Sequence, residues 1–195
     1  MNVSIILRSG NLVVSNMQET FNIVIGGKGI AWMLVMDFVL IAIFVHLWGK
    51  DDLSGLWRWT TLATVGAVTA SLLLFTAGAF FSKITVFDDS LKISIPFYAR
   101  TVLLSAVDAQ QIAVVSFDDH KGYKPSFRTN GLGVPGYGVG WFLLRDGTRA
   151  LVAIGSADNA VYIPTSEGFS ILATIENPDS FVSLITGIPS EAHSL

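Results

Sequence analysis

Apolar residues fall into two regimes along this chain. Over residues 30–48 and 60–82 they run almost without a break, and after position 82 they shorten into alternating stretches. The first run, IAWMLVMDFVLIAIFVHLW, carries one acid, Asp37; the second, TTLATVGAVTASLLLFTAGAFFS, carries no charge. A helix crossing a hydrocarbon layer of about 30 Å needs about 20 mostly apolar residues. In lipid every backbone N–H and C=O must be bonded within its own segment, so both runs predict transmembrane helices. Two core helices of a soluble protein would show the same pattern, but the rest of the chain is short for enclosing them. The predicted hairpin occupies residues 29–82.

The second run places Ala63, Gly66, Ala67, Ala70 and Ser71 at helical spacing. Small residues on one face let two helices approach closely in lipid. Asp37 is the odd residue, because an acid at this depth costs at least ~2.5 kcal/mol unless it is neutralised or paired. In an antiparallel hairpin it comes near the depth of Thr76, which predicts an intramembrane polar contact between Asp37 and Thr76. Contact with a partner subunit is the alternative; an ion or proton path needs more than two helices. His46 lies near a helix end and reads as interfacial.

Residues 1–28 stand apart as an N-terminal segment. VSIIL-RSGN-LVVS reads equally as a hairpin turning at Ser9-Gly10-Asn11 or as an amphipathic segment lying on a membrane. Arg8 interrupts the first apolar stretch, so a cleavable signal is not expected.

Beyond residue 82, period-two alternation predicts strands at 84–87 and 91–95, with Asp88-Asp89-Ser90 as the turn and Pro96 as the stop. Further strands are predicted at 111–117, 139–144, 150–154, 160–163 and 169–174, with a long glycine-rich connection over 118–138. Asn177-Pro178, followed by Phe181, Leu184 and Ile185, predicts a C-terminal helix. The expected fold is an α+β membrane protein: a two-helix transmembrane hairpin followed by a mainly antiparallel β barrel or sandwich with a C-terminal helix. The β domain is set at 83–188 and a tail at 189–195.

Composition agrees. Charged residues make up 14% of the 195, against about 25% in ordinary soluble domains. There is no cysteine, which excludes disulfides and thiolate chemistry. Arg8, Lys28, Lys83, Lys92 and Arg100 flank the hairpin on the side of the termini, against Lys50 and Arg58 in its loop. This bias predicts both termini and the β domain on the cytoplasmic side. Trp32, Trp48, Trp57 and Trp59 fall near the expected interfaces. From residue 83 onward eight basic residues face eleven acidic ones, so nucleic acid is not an expected partner, and the surface on average repels anionic lipid as well.

Arg128-Thr129-Asn130-Gly131-Leu132-Gly133-Val134-Pro135-Gly136-Tyr137, with Gly140-Trp141-Phe142 and Leu144, resembles the core motif of a bacterial pleckstrin-homology-like (PH-like) family. Ile95-Pro96-Phe97-Tyr98, Gly147, Ala150-Leu151-Val152, Ile163-Pro164-Thr165 and the start of the last helix extend the likeness over residues 83–188. The resemblance implies a PH-like barrel of seven strands plus a helix, often found beside membrane helices and without an assigned activity. It also implies a bacterial cytoplasmic membrane as the location.

A glycine-rich loop can offer backbone N–H groups to an anion. On that reading Lys124, Arg128, Asn130, Gly131, Gly136 and Tyr137 form a ligand-binding loop for a lipid headgroup or peptide. The competing reading is an ordered connection with Tyr137 and Trp141 in the core. The loop lacks a P-loop's Gly-Lys-Ser/Thr ending, and no nucleophile elbow occurs. Asp118-Asp119-His120 reads as a solvated loop rather than a metal site. No catalytic residue, metal or cofactor is expected. The functional expectation is a non-enzymatic, membrane-anchored interaction module, multi-pass in the bilayer, that binds a protein partner or its own copies. The alternatives are a lipid sensor and an accessory subunit of a transporter or other membrane complex.

Overall fold

A computed structural model describes residues 7–8, 11–12, 18–49, 55–155 and 159–187. The tail at 189–195 lies outside the described residues. Two short strands, β1 (Leu7–Arg8) and β2 (Asn11–Leu12), pair antiparallel. This pairing agrees with the first of the two readings of the segment.

The apolar runs form α1 (Gly27–Trp48) and α2 (Leu56–Ala79). At about 1.5 Å per residue they are roughly 33 and 36 Å long, enough to cross a membrane. Their apolar surface has no cover in the described chain. Only 11% of the most apolar window of α1 and 28% of that of α2 is buried. A core helix of a soluble domain would be enclosed. The two helices pack side by side where Phe44 lies against Gly66: a Cβ built on Gly66 would sit 3.2 Å from the Phe44 ring.

The hairpin does not precede the β domain; it interrupts it. Strand β3 (Glu19–Asn22) lies before α1 and pairs antiparallel with β4 (Lys83–Val86), which follows α2. Residues 1–28 are therefore not one separate segment: Phe21 and Ile23 are core residues. The alternation of Thr20, Phe21, Asn22 and Ile23 carried this signal, but it is too short to stand out beside the apolar run that follows. Strands β5 (Ser90–Ile95) and β6 (Tyr98–Leu103) complete a four-stranded antiparallel sheet in the order β3-β4-β5-β6.

The second sheet has six strands: β7 (Ala113–Ser116), β8 (Pro125–Val134), β9 (Tyr137–Leu144), β10 (Arg149–Ile154), β11 (Asn159–Pro164) and β12 (Ser170–Ala173). Their order is β7-β11-β12-β10-β9-β8, and β12 runs parallel to β10. The sheets face each other across a core of Ile84, Leu91, Ile93, Val139, Leu151, Ile163 and Ile171. They are stitched at one end by the Ile23–Ile175 bridge and at the other by Val107–Thr165, and α3 (Pro178–Thr186) sets Phe181 against Phe21 beside the first.

Three expectations need correction. The barrel is not closed: β6 and β8 both end their sheets unpaired, and side chains alone span the corner between them. The 118–138 connection is mostly strand, because β8 pairs with β9 through glycines that sequence alone reads as turn formers. The strand β6 was not predicted at all, since Arg100 breaks its alternation.

Phe21 and Phe181 meet edge to face with ring centroids 5.2 Å apart, joining the strand before the hairpin to the last helix. Truncating a buried aromatic ring costs about 3–5 kcal/mol. Phe21→Ala is expected to lower the unfolding free energy by about 3 kcal/mol, read from denaturant midpoints. Phe127→Ala on exposed β8 should stay within about 0.5 kcal/mol.

Candidate functional site

The six candidate loop residues do not converge. Arg128 pairs with Phe142, but the next rung joins Asn130 to Trp141, so Thr129 is an extra residue. Such a bulge switches the faces of the residues on either side of it. Arg128 lies on the outer face, where its guanidinium reaches toward Gly133. Asn130 turns inward and accepts a hydrogen bond from the Tyr98 hydroxyl at 2.9 Å. The Thr129 hydroxyl donates to the Trp141 carbonyl at 3.0 Å and holds the bulge in place. Lys124 sits beyond the strand, its carbonyl accepting from the Arg145 N–H at 3.1 Å. An anion cannot touch Lys124, Arg128 and Asn130 together in this arrangement.

The glycine-rich turn instead holds the helical hairpin. Gly136 has φ +82°, a conformation that favours glycine. A Cβ there would lie 2.9 Å from Lys28 Cβ and 3.0 Å from Gly29 N; one on Gly29 would lie 2.7 Å from the Gly136 carbonyl oxygen. Backbone thus packs directly on backbone where α1 starts. Gly131 pairs with Gly140 in the same hairpin, and neither position has space for a Cβ. Tyr137 is buried, and its ring meets Phe75 of α2 edge to face at 6.3 Å between centroids. Burial pushes the Tyr137 phenol up to about 12, with the Ser82 hydroxyl a weaker, opposing influence. Phe75 stacks on Phe97, the exposed tip of the β5–β6 turn, at 5.8 Å.

Between the hairpin and this turn lies an apolar cavity of about 510 Å³, open on one side. Met36, Leu40, Ala67 and Ser71 line it from the helices, and Phe97 and Leu132 from the β domain. No sequence pattern marks it, since its lining comes from four separated segments.

Asp37 and Thr76 are both buried, with 4% and 6% exposure. The predicted contact between them is not made. Neither Asp37 carboxylate oxygen nor the Thr76 hydroxyl has a hydrogen-bond partner. Helix register gives the reason. With Phe44 opposite Gly66, Asp37 comes level with Leu73, and Thr76 lies about 4.5 Å further along the axis. Among the described residues no three His, Asp or Glu side chains gather as a metal site. Asp118 and His120 lie in a turn, with the His120 ring beside Tyr123.

The family model of the bacterial PH domain matches residues 82–187, a little over half of the chain. The chain therefore belongs to the bacterial PH domain family. No curated protein and no solved structure gives a match.

Two predictions follow the turn-to-helix contact. Gly136→Ala adds a Cβ against Lys28 and strains the backbone, whereas Gly168→Ala, at φ +81° with open space around it, carries the backbone strain alone. Gly136→Ala is expected to destabilise the chain by at least about 1 kcal/mol more than Gly168→Ala, as read from thermal unfolding in detergent. The raised Tyr137 pKa gives a pH signature. An unfolded tyrosine ionises near pH 10 and the folded one near 12, so the folded state binds the extra proton in between. Stability is full below pH 10 and falls by about 2 kcal/mol as the pH rises to 12. Tyr137→Phe should remove that decline, measured as the difference between the two proteins' unfolding curves across this window.

Proposed function

We propose that this bacterial PH domain protein is a non-enzymatic interaction module anchored in the cytoplasmic membrane by the α1–α2 hairpin. The observation that carries this reading is the uncovered apolar surface of both helices, joined to a hairpin inserted within the β domain rather than attached to its end. Both hairpin ends are clamped into the sheet. The β domain is thereby held against the bilayer surface, where a flexible linker would let it wander.

On this reading the domain offers its exposed edge to a protein partner or another copy. Strand β8 is ten residues long, exposed over residues 126–130, and unpaired along one side. An extended peptide can add to such an edge through main-chain hydrogen bonds. Two other readings have less support. A headgroup loop at 121–138 needs Lys124, Arg128 and Asn130 on one face, and the Thr129 bulge divides them. An accessory subunit held through Asp37 needs that carboxylate on an outer helix face, and it is turned into the protein.

The basic flanks favour the cytoplasm for the β domain and the opposite side for the helix loop. Because the chain has no cysteine, single cysteines report the topology. The full chain should stay in the membrane pellet after alkaline carbonate washing. In intact cells an impermeant maleimide should label Gly49→Cys at the end of α1, and should label Glu167→Cys only after permeabilisation. Extraction by carbonate would remove the anchor; the reverse labelling would invert the orientation.

A further inference from the structure

The cavity at the junction of hairpin and β domain has a polar end. Its lining runs along α2 from Phe75 to Ala67, about 12 Å of helix, and is almost wholly apolar. At the β-domain end it reaches Tyr98, whose hydroxyl donates to Asn130. Two residues further along β6, on the same inward face and about 7 Å away, stands Arg100. Its guanidinium carbon lies 5.8 Å from the centroid of the Trp141 ring, and that of Arg149 lies 4.4 Å from it. Among the described residues neither guanidinium has an acid at ion-pair distance. Both are exposed, Arg100 on the open edge strand β6 and Arg149 at the start of β10.

An open apolar space therefore reaches a hydroxyl–amide pair, and two cations without an acid partner among the described residues stand beyond it. We infer that the junction binds one anionic glycerophospholipid, with an acyl chain in the cavity and the phosphate at Arg100, near Arg149. The cavity volume of about 510 Å³ lies within the range of small-molecule sites, about 300–1,000 Å³. Its helix walls are continuous with the uncovered faces that would meet the bilayer: Leu34, Val35 and Leu74 are all exposed on the same two helices. Lipid is the solvent that reaches this opening, and the cation pair selects the charge of its headgroup. Phe97, 74% exposed and held at φ +62° at the tip of its turn, covers the cavity from the β-domain side. A non-glycine residue in that conformation is uncommon and is kept by its surroundings, here the stack on Phe75.

This inference rests on the membrane reading, and the two are tested apart. Carbonate extraction reports the anchor. For the lipid, the full chain in mild detergent is offered phosphatidylglycerol or phosphatidylcholine of identical acyl chains, and retained lipid is counted by native mass spectrometry. The wild type should keep one phosphatidylglycerol and prefer it over phosphatidylcholine by roughly fivefold per engaged guanidinium. Arg100→Gln should lose most of that preference and Arg100→Lys should keep part of it. Ala67→Phe fills the cavity from the exposed side of α2 and should lower retention of both lipids, with Ser71→Phe as a second filling variant. Photoactivatable phosphatidylglycerol, reactive at its tail, should crosslink to the Met36–Leu40 or Ala67–Ser71 peptides. Equal retention of both lipids, crosslinks spread along the whole hairpin, or unchanged retention in both filling variants would overturn the site. So would a second copy or another protein crosslinked through Phe97 in place of lipid.

Discussion

The hydrogen bond from the Ile23 N–H to the Ser82 carbonyl, 3.0 Å long, joins the two ends of the hairpin. Fifty-eight residues separate these positions in the chain, yet they sit side by side at the joined ends of β3 and β4. The β3–β4 ladder continues from that bond, pairing Asn22 with Lys83 and Phe21 with Ile84. The entropic cost of closing so long a loop grows only slowly with its length. The two helices pack on each other at Phe44 and Gly66, which brings the hairpin's ends together. The sheet then needs only to receive two ends that already lie together. The remaining architecture depends on this closure. It brings Phe21 under Phe181 and ties the corner covered by α3 to the start of the hairpin.

A second contact fixes direction. Backbone meets backbone between Gly29 and Gly136, and Tyr137 sets its ring against Phe75. Through these, both helices touch the same β-hairpin turn, one at its start and one near its end. The glycine-rich motif thus acts as a socket. Its glycines are required by close approach, and close approach also removes the free N–H groups that would make it an anion site. One composition can serve either purpose, and what lies opposite the loop decides between them.

The sequence made the long apolar helices, the C-terminal helix and the strands at 84–95, 139–144 and 150–154 legible, because each rests on local periodicity. The parallel pairing of β10 with β12 and the insertion of the hairpin were not legible, because both are relations between distant segments. The candidate loop residues lie apart for a more specific reason. Lys124, Arg128 and Asn130 read as neighbours along the chain, but a single unpaired residue, Thr129, sends Arg128 and Asn130 to opposite faces. Bulges leave little trace in a sequence. Tyr98, Arg100 and Trp141 were all visible as residues, yet nothing local brings β6 opposite β9.

Asp37 shows how depth and burial act together. Facing lipid, its carboxyl would be a strong candidate for a partner's contact. Buried like Met33 one turn before it, it is shielded from any neighbouring helix that packs on the outer faces. Its oxygens and the Thr76 hydroxyl are left without partners on a pair of helices whose other buried hydroxyl, Thr69, donates to the Val65 carbonyl at 2.8 Å. The hairpin therefore tolerates Asp37 as a polar group inside its packing. The exposed cations lie in the β domain, where Trp141 carries two guanidinium groups beyond the Tyr98 end of the apolar space.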